Sequence, residues 1–137
     1  MAKTVLVVDD ITFVRKTLIE ILQKSHLQVV GEAEDGEKAV ELYRKLQPDI
    51  VTMDIVMPEM SGIEAARKIL KIDKNAKIVM ISALGQENLV MEAINAGVKD
   101  YILKPFSEEE ILKTIEKALT SDERLTGRAS QRTQKSL

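Results

Sequence analysis

Cysteine is absent from the chain, which excludes disulfides, thiolate nucleophiles and cysteine-bound metals. Tryptophan is absent as well, and aromatic residues total 3%, leaving no platform on which nucleic-acid bases could stack. Neither sign of charge is in excess: 20 basic side chains oppose 22 acidic ones, for a net charge of −2. Such a balance favours neither nucleic acid nor an anionic membrane surface as a partner. No apolar run approaches the roughly 18 residues of a membrane span. The opening Met-Ala-Lys-Thr has no secretory apolar stretch before strand-like sequence begins. A cytoplasmic protein is expected, with no direct nucleic-acid or membrane partner. The single histidine, His26, stands without other ligand types and reads as a surface residue. The six methionines read as core filler or partner surface.

What is present is enough for one domain. The 137 residues are 45% hydrophobic, so a sizeable core can be buried. Five short β-branched runs stand out: Val5 to Val8, Gln28 to Val30, Ile50 to Met53, Ile78 to Ile81 and Tyr101 to Leu103. Most are continuous rather than alternating, the pattern of strands buried on both faces. Between and after them, apolar residues recur at helical spacing. The sets are Ile11, Val14, Leu18 and Ile21; Ala39, Tyr43 and Leu46; Ile63, Ala66 and Leu70; Leu89, Ala93 and Ala96; and Ile111, Ile115 and Leu119. Ser107 with Glu110 forms a capping box at the last helix, Gly97 closes the fourth, and Gln47-Pro48-Asp49 ends the second. Strict β-α alternation predicts a parallel sheet with helices on both faces and right-handed crossovers. A folded domain over 1–120 is expected. Residues 121–137 offer helix five an extension toward Leu125, then a polar, mobile tail that is dispensable for folding.

Polar chemistry gathers at the strand ends: Asp9 and Asp10 after the first, Asp54 after the third, Ser82 after the fourth and Lys104 after the fifth. In an open parallel sheet these carboxyl ends share one edge, where ligands bind. Taken singly, each residue has an ordinary explanation. Asp9 or Asp10 could cap helix one, Asp54 could serve a turn, Ser82 could bond a loop, and Lys104 could be solvated. Together, three carboxylates and one ammonium at one edge exceed what turns require. Close carboxylates repel unless a cation sits among them. Oxygen ligands without His or Cys select Mg²⁺, or Mn²⁺ in its place. A carboxylate beside such a metal can be the nucleophile that forms an aspartyl-phosphate. Asp54 is the best nucleophile because it is central, and the adjacent Asp9 and Asp10 are better metal holders.

The set Val8-Asp9-Asp10, Met53-Asp54-Ile55-Val56-Met57-Pro58, Gly62, Ser82-Ala83 and Lys104-Pro105-Phe106 resembles the receiver domain of bacterial two-component response regulators. The resemblance covers about residues 3–119. Thr52 to Glu64, with Ser82 to Gln86, is most similar to its chemotaxis branch. It implies one doubly wound (βα)5, flavodoxin-like domain with a five-stranded parallel sheet of order 2-1-3-4-5. It implies Asp54 as phospho-acceptor and Asp10, Asp54 and the backbone carbonyl of Val56 as Mg²⁺ ligands, with Asp9 acting mainly through water. Ser82, Ala83 and Lys104 would bind the phosphoryl group, and Tyr101 would be the switch aromatic. Pro58 and Gly62 would be structural, and Lys104-Pro105 a cis bond aiming the lysine at the phosphate. Val56 and Leu84 would control the access of attacking water. Ser82 departs from the Thr more usual at its position, which loosens the expected coupling.

The resemblance further implies a monomeric signalling switch with Mg²⁺-dependent self-phosphorylation and slow autodephosphorylation, rather than a true enzyme. The implied partners are a histidine kinase of the chemotaxis (CheA-like) type, a downstream target such as a flagellar motor switch protein, and a phosphatase. A receiver excised from a longer regulator with a DNA-binding or enzymatic output domain is the alternative. A hydrolase on the same fold is disfavoured, since no second general acid is visible. A flavin-binding module is disfavoured because the first βα turn is acidic where a phosphate needs donors.

Overall fold

The computed structural model of the chain describes residues 2–120. The expected tail, including any extension of the last helix toward Leu125, lies outside the described residues. Ten elements alternate: β1 (Thr4–Val8), α1 (Thr12–Gln23), β2 (Gln28–Ala33), α2 (Gly36–Leu46), β3 (Ile50–Asp54), α3 (Gly62–Ile72), β4 (Ile78–Ser82), α4 (Glu87–Ala96), β5 (Asp100–Leu103) and α5 (Glu108–Thr120). The strands are all parallel, in the order β2-β1-β3-β4-β5. The predicted α/β class and strand order are therefore those observed.

Burial explains why the strands read as they do. Every residue of β3 and β4 is buried, since helices cover both faces of the sheet centre. One apolar cluster joins Leu6, Met53 and Met80 to Ile63 and Ile69 of α3, and the other joins Val5, Val7 and Ile81 to Leu18 and Leu22 of α1 and Ile111 and Ile115 of α5. At the sheet edge the pattern alternates, and β5 buries Ile102 while Tyr101 and Leu103 face outward.

The helix punctuation is largely as read. Ser107 and Glu110 bond each other's backbone N–H at 3.1 Å in both directions. Gly97 takes a φ of +119° beyond α4, and Gln47 a φ of +46° beyond α2. Asp35 and Ser61 also cap α2 and α3, accepting from the N–H groups of Lys38 and Glu64. Two stripes differ from expectation. Ile11 precedes α1 and is exposed, so that helix instead buries Leu18, Ile21 and Leu22. At the end of α2 the expected Leu46 is likewise exposed, and that helix buries Ala39 and Tyr43. In α4 Val90 and Ala93 are buried, Leu89 packs against the same core as expected, and Met91 and Ile94 face the surface. Among the described residues, no helix is long and apolar enough to cross a membrane.

Register brings the strand ends together. Val8 pairs with Met53, so the residues that follow them, Asp9 and Asp54, are neighbours across β1 and β3. Asp54 pairs with Ile81, one residue before Ser82. Ser82 pairs with Leu103, one residue before Lys104, and the N–H of Lys104 donates to the Ser82 carbonyl at 2.7 Å.

Candidate functional site

Asp9 is fully buried, and its Oδ1 accepts from the N–H of Ile11 at 2.9 Å. That bond tightens the turn after β1, whereas the N-cap position of α1 is Ile11, with no side-chain cap, so the helix-cap explanation does not describe the pair. Asp54 lies at the end of β3 and is 6% exposed. One carboxylate oxygen from each of Asp9, Asp10 and Asp54 lies within 4.8 Å of the others. Lys104 reaches in from the far strand, its Nζ 3.6 Å from Asp54 Oδ1 and 3.8 Å from Asp9 Oδ2. It is thus a paired ammonium rather than a solvated one.

Electrostatics in this cluster are unbalanced. Burial, then the Asp9 charge, push the Asp54 carboxyl from 3.8 up to about 7; Lys104 opposes the rise and Asp10 adds to it. Burial likewise raises Asp9, against the pull of the Ile11 N–H and of Lys104. Asp9 Oδ2 and Asp10 Oδ1 are buried without a hydrogen-bond partner. Orphaned buried oxygens of this kind call for a donor or a cation. The donor set is oxygen only and the shortfall is positive charge, so the residues fit a hard divalent cation such as Mg²⁺ or Mn²⁺.

The rest of the predicted set falls around this centre. Ser82 Oγ is completely buried and has no hydrogen-bond partner, which is not the behaviour of an ordinary loop serine. The N–H of Ala83 donates to Gln86 Oε1 at 2.7 Å. Val56 and Leu84 project outward beside the site, Leu84 with 74% of its surface exposed. Pro58 and Gly62 shape the loop after β3. The Met60 N–H donates to the Pro58 carbonyl and the Gly62 N–H to the Ile55 carbonyl, both at 2.7 Å, with Glu59 at a φ of +65°. A Cβ on Gly62 would collide with the Asp54 carbonyl, so close backbone approach dictates glycine there. The Lys104-Pro105 bond is cis. Tyr101 is not drawn into the cluster and is 44% exposed on the edge strand. His26 is a surface residue, paired with Glu116 at 3.0 Å.

Sequence reasoning overlooked Arg15. Its buried guanidinium donates through Nη1 to the Asp9 carbonyl and through Nε to Glu32 Oε1, both at 2.7 Å. The two bonds strap the turn bearing the acidic pair to β2, and Arg15, with Lys16, holds the Glu32 carboxyl below its ordinary range. A signal was available: Arg15 stands in phase with Leu18 and Leu22 on the apolar face of α1.

A buried carboxylate on the central strand, two further carboxylates able to hold a divalent cation, and one ammonium at a parallel-sheet edge are the groups that a phospho-acceptor class of α/β signalling domain requires. Residues 5–116 match the family model described as the response regulator receiver domain. The chain is 53% identical over 117 residues to the chemotaxis protein CheY of Thermotoga maritima, covering 85% of this chain and 98% of that one. It is 50% identical over 119 residues to CheY of Bacillus subtilis, covering 87% and 99%. A solved CheX-CheY-BeF3-Mg complex from Borrelia burgdorferi aligns with a TM-score of 0.82 at 39% identity, covering 87% of this chain and 90% of that one. The chain belongs to the response regulator receiver family and is a phosphorylation-activated response regulator.

Proposed function

We propose that this chain is a chemotaxis regulator in which Asp54 accepts a phosphoryl group from a histidine kinase and thereby switches a protein-binding surface. The observation that carries the assignment is the placement of Asp54, buried on the central strand within 4.8 Å of the other two carboxylates and 3.6 Å from the Lys104 ammonium. One Asp54 oxygen attacks the donor phosphorus, the donor's bond to phosphorus breaks with its electron pair leaving on the donor, and a carboxylate–phosphate anhydride forms. Asp10, Asp54 and the Val56 carbonyl would hold Mg²⁺, with Asp9 acting through water; the ion supplies charge neutralisation on the transferring group. Lys104 supplies a second positive charge, and the N–H of Ala83 and hydroxyl of Ser82 supply donors. The apolar Val56 and Leu84 flank the site and favour a long-lived phosphoryl group by excluding attacking water.

The switch starts at Ser82. Its hydroxyl lacks a partner here, and a phosphoryl oxygen on Asp54 would offer a charged acceptor worth roughly 1.5–3 kcal/mol. Movement of Ser82 vacates space beside β5, into which the outward Tyr101 ring can turn. The surface so altered includes Met91, Ile94, Tyr101 and Leu103, all exposed. Driving a two-state equilibrium from 1:99 to 99:1 takes about 5.5 kcal/mol, so one such bond plus a lysine contact leaves some basal activity. The CheY relatives support a histidine kinase as donor, and the Borrelia complex supports a CheX-like partner, read here as a phosphatase; a chemotaxis-type kinase and a flagellar motor switch protein as target are the proposal's own extension. Intact mass after incubation with acetyl phosphate and Mg²⁺ tests the core of the reading. One added phosphoryl group is expected in the wild type and none in Asp54→Asn; equal labelling of the variant overturns the assignment.

A further inference from the structure

The N–H of Ala83 is already taken. Gln86 Oε1 accepts from it at 2.7 Å, while the Gln86 N–H donates weakly to the Ala83 carbonyl at 3.3 Å. The two residues thus clasp each other across the turn from β4 to α4. Gln86 is also the N-cap residue just before α4, with a φ of −109° and a ψ of 26°, and its side chain caps none of the helix's own free N–H groups. Its amide oxygen is therefore spent on Ala83 rather than on α4.

From this geometry we infer that Gln86 is a built-in competitor of the phosphoryl group, a stand-in acceptor that must let go of Ala83 before the phosphorylated state can form. The inference rests on the reading in which Asp54 is the acceptor and Ala83 donates to the phosphoryl oxygen. A backbone N–H provides one hydrogen, and two acceptors cannot share it at full strength. In the unphosphorylated protein the neutral Gln86 oxygen holds it. A phosphoryl oxygen is charged and accepts more strongly, so it displaces the amide. Displacement releases the Gln86 side chain at the N-cap of α4 and opens the Ala83–Gln86 clasp. Site occupancy is thereby transmitted to the helix carrying the exposed Met91 and Ile94. Gln86 touches none of the reacting atoms. It acts through Ala83, setting how tightly the phosphorylated geometry is held and at what cost the resting loop is given up.

The full chain labelled with ¹⁵N tests this through the Ala83 amide, with beryllofluoride plus Mg²⁺ as the probe. In metal-free protein, Gln86→Ala should expose the Ala83 N–H and speed its exchange, and Gln86→Glu, a stronger acceptor, should slow it. With beryllofluoride bound, exchange at Ala83 should be equally slow in wild type and Gln86→Ala, because the donor has changed partners. Beryllofluoride should bind Gln86→Ala roughly fivefold more tightly than wild type, the scale of one neutral hydrogen bond, and Gln86→Glu more weakly. Equal Ala83 exchange in the metal-free wild type and Gln86→Ala, or equal beryllofluoride affinity, overturns the role of Gln86 and leaves the acceptor reading standing. Failure of the wild type itself to respond to beryllofluoride refutes the acceptor reading and the competition with it.

Discussion

Replacing Asp54 by Asn should make the metal-free protein more stable, although it removes the group at the centre of the site. Burial and the neighbouring Asp9 charge raise the Asp54 carboxyl from 3.8 to about 7 in the folded chain. At about 1.4 kcal/mol for each tenfold change in an acid constant, ionised Asp54 weakens the metal-free fold by roughly 4 kcal/mol. Asn recovers only part of this, because an imperfectly bonded buried amide costs about 1–3 kcal/mol. The net gain is about 1–3 kcal/mol, or roughly 4–12 °C in Tm for a domain of this size. The pH dependence separates charge from packing. With the folded value raised, the folded state holds the proton more tightly than the unfolded chain. The penalty is absent below 3.8, grows as pH rises toward 7 and is constant above. Thermal unfolding by circular dichroism in EDTA should therefore show the largest difference at pH 8 and a shrinking one toward pH 4. Added Mg²⁺ should stabilise the wild type and barely move the variant. An Asn variant no more stable than wild type at pH 8, or an advantage independent of pH, would refute the argument that uncompensated charge destabilises this site.

Asp10→Ala removes a carboxylate whose Oδ1 is buried and unpartnered, and should lower Mg²⁺ affinity at least tenfold in a calorimetric titration; equal affinity rules out the ligand set. Arg15→Ala should lower stability in urea by about 2–3 kcal/mol, since the Asp9 carbonyl and Glu32 each lose a charged donor; a change under 0.5 kcal/mol would show that the strap is ornamental. Gly62→Ala should cost about 3 kcal/mol and slow phosphorylation, because the new Cβ meets the Asp54 carbonyl and, at 3.0 Å, the Ile55 Cα; unchanged stability and rate would contradict the packing. Ser82→Ala should still take a phosphoryl group, as seen by intact mass, yet lose most of the phosphorylation-dependent gain in partner affinity. A full gain would break the proposed link from Ser82 to Tyr101.

Element type was legible in the chain because it is governed by local repetition. Continuous β-branched runs such as Ile78 to Ile81 can be satisfied only between two helical layers, and the spacing of Ile111 and Ile115 only on one face of a helix. The acidic pair, Asp54 and Lys104 were legible because each follows an apolar run directly, and parallel strands bring all such ends to one edge. Where spacing alone left latitude, the outcome diverged. The stripes of α1 and α2 each ran one position too far, with Ile11 and Leu46 exposed at a helix end, because where the chain turns away from the sheet depends on the crossover and not on the period.

Tertiary structure decided the strengths. Register across β1, β3 and β4 sets Asp9 beside Asp54 and Ser82 one step beyond, and those steps determine that Lys104 meets two carboxylates rather than one. The raised Asp54 carboxyl, the orphaned oxygens of Asp9 and Asp10, and the partnerless Ser82 hydroxyl all result from burial, which no local pattern encodes. Arg15 makes the same point: its charge argues for solvent, and only the approach of Glu32 from β2, 17 positions away in the chain, makes its burial affordable. Sequence by itself determined which groups stand at the edge of the sheet, because that follows from chain order. How hard those groups press on one another depended on distances between strands that sequence neighbours do not control.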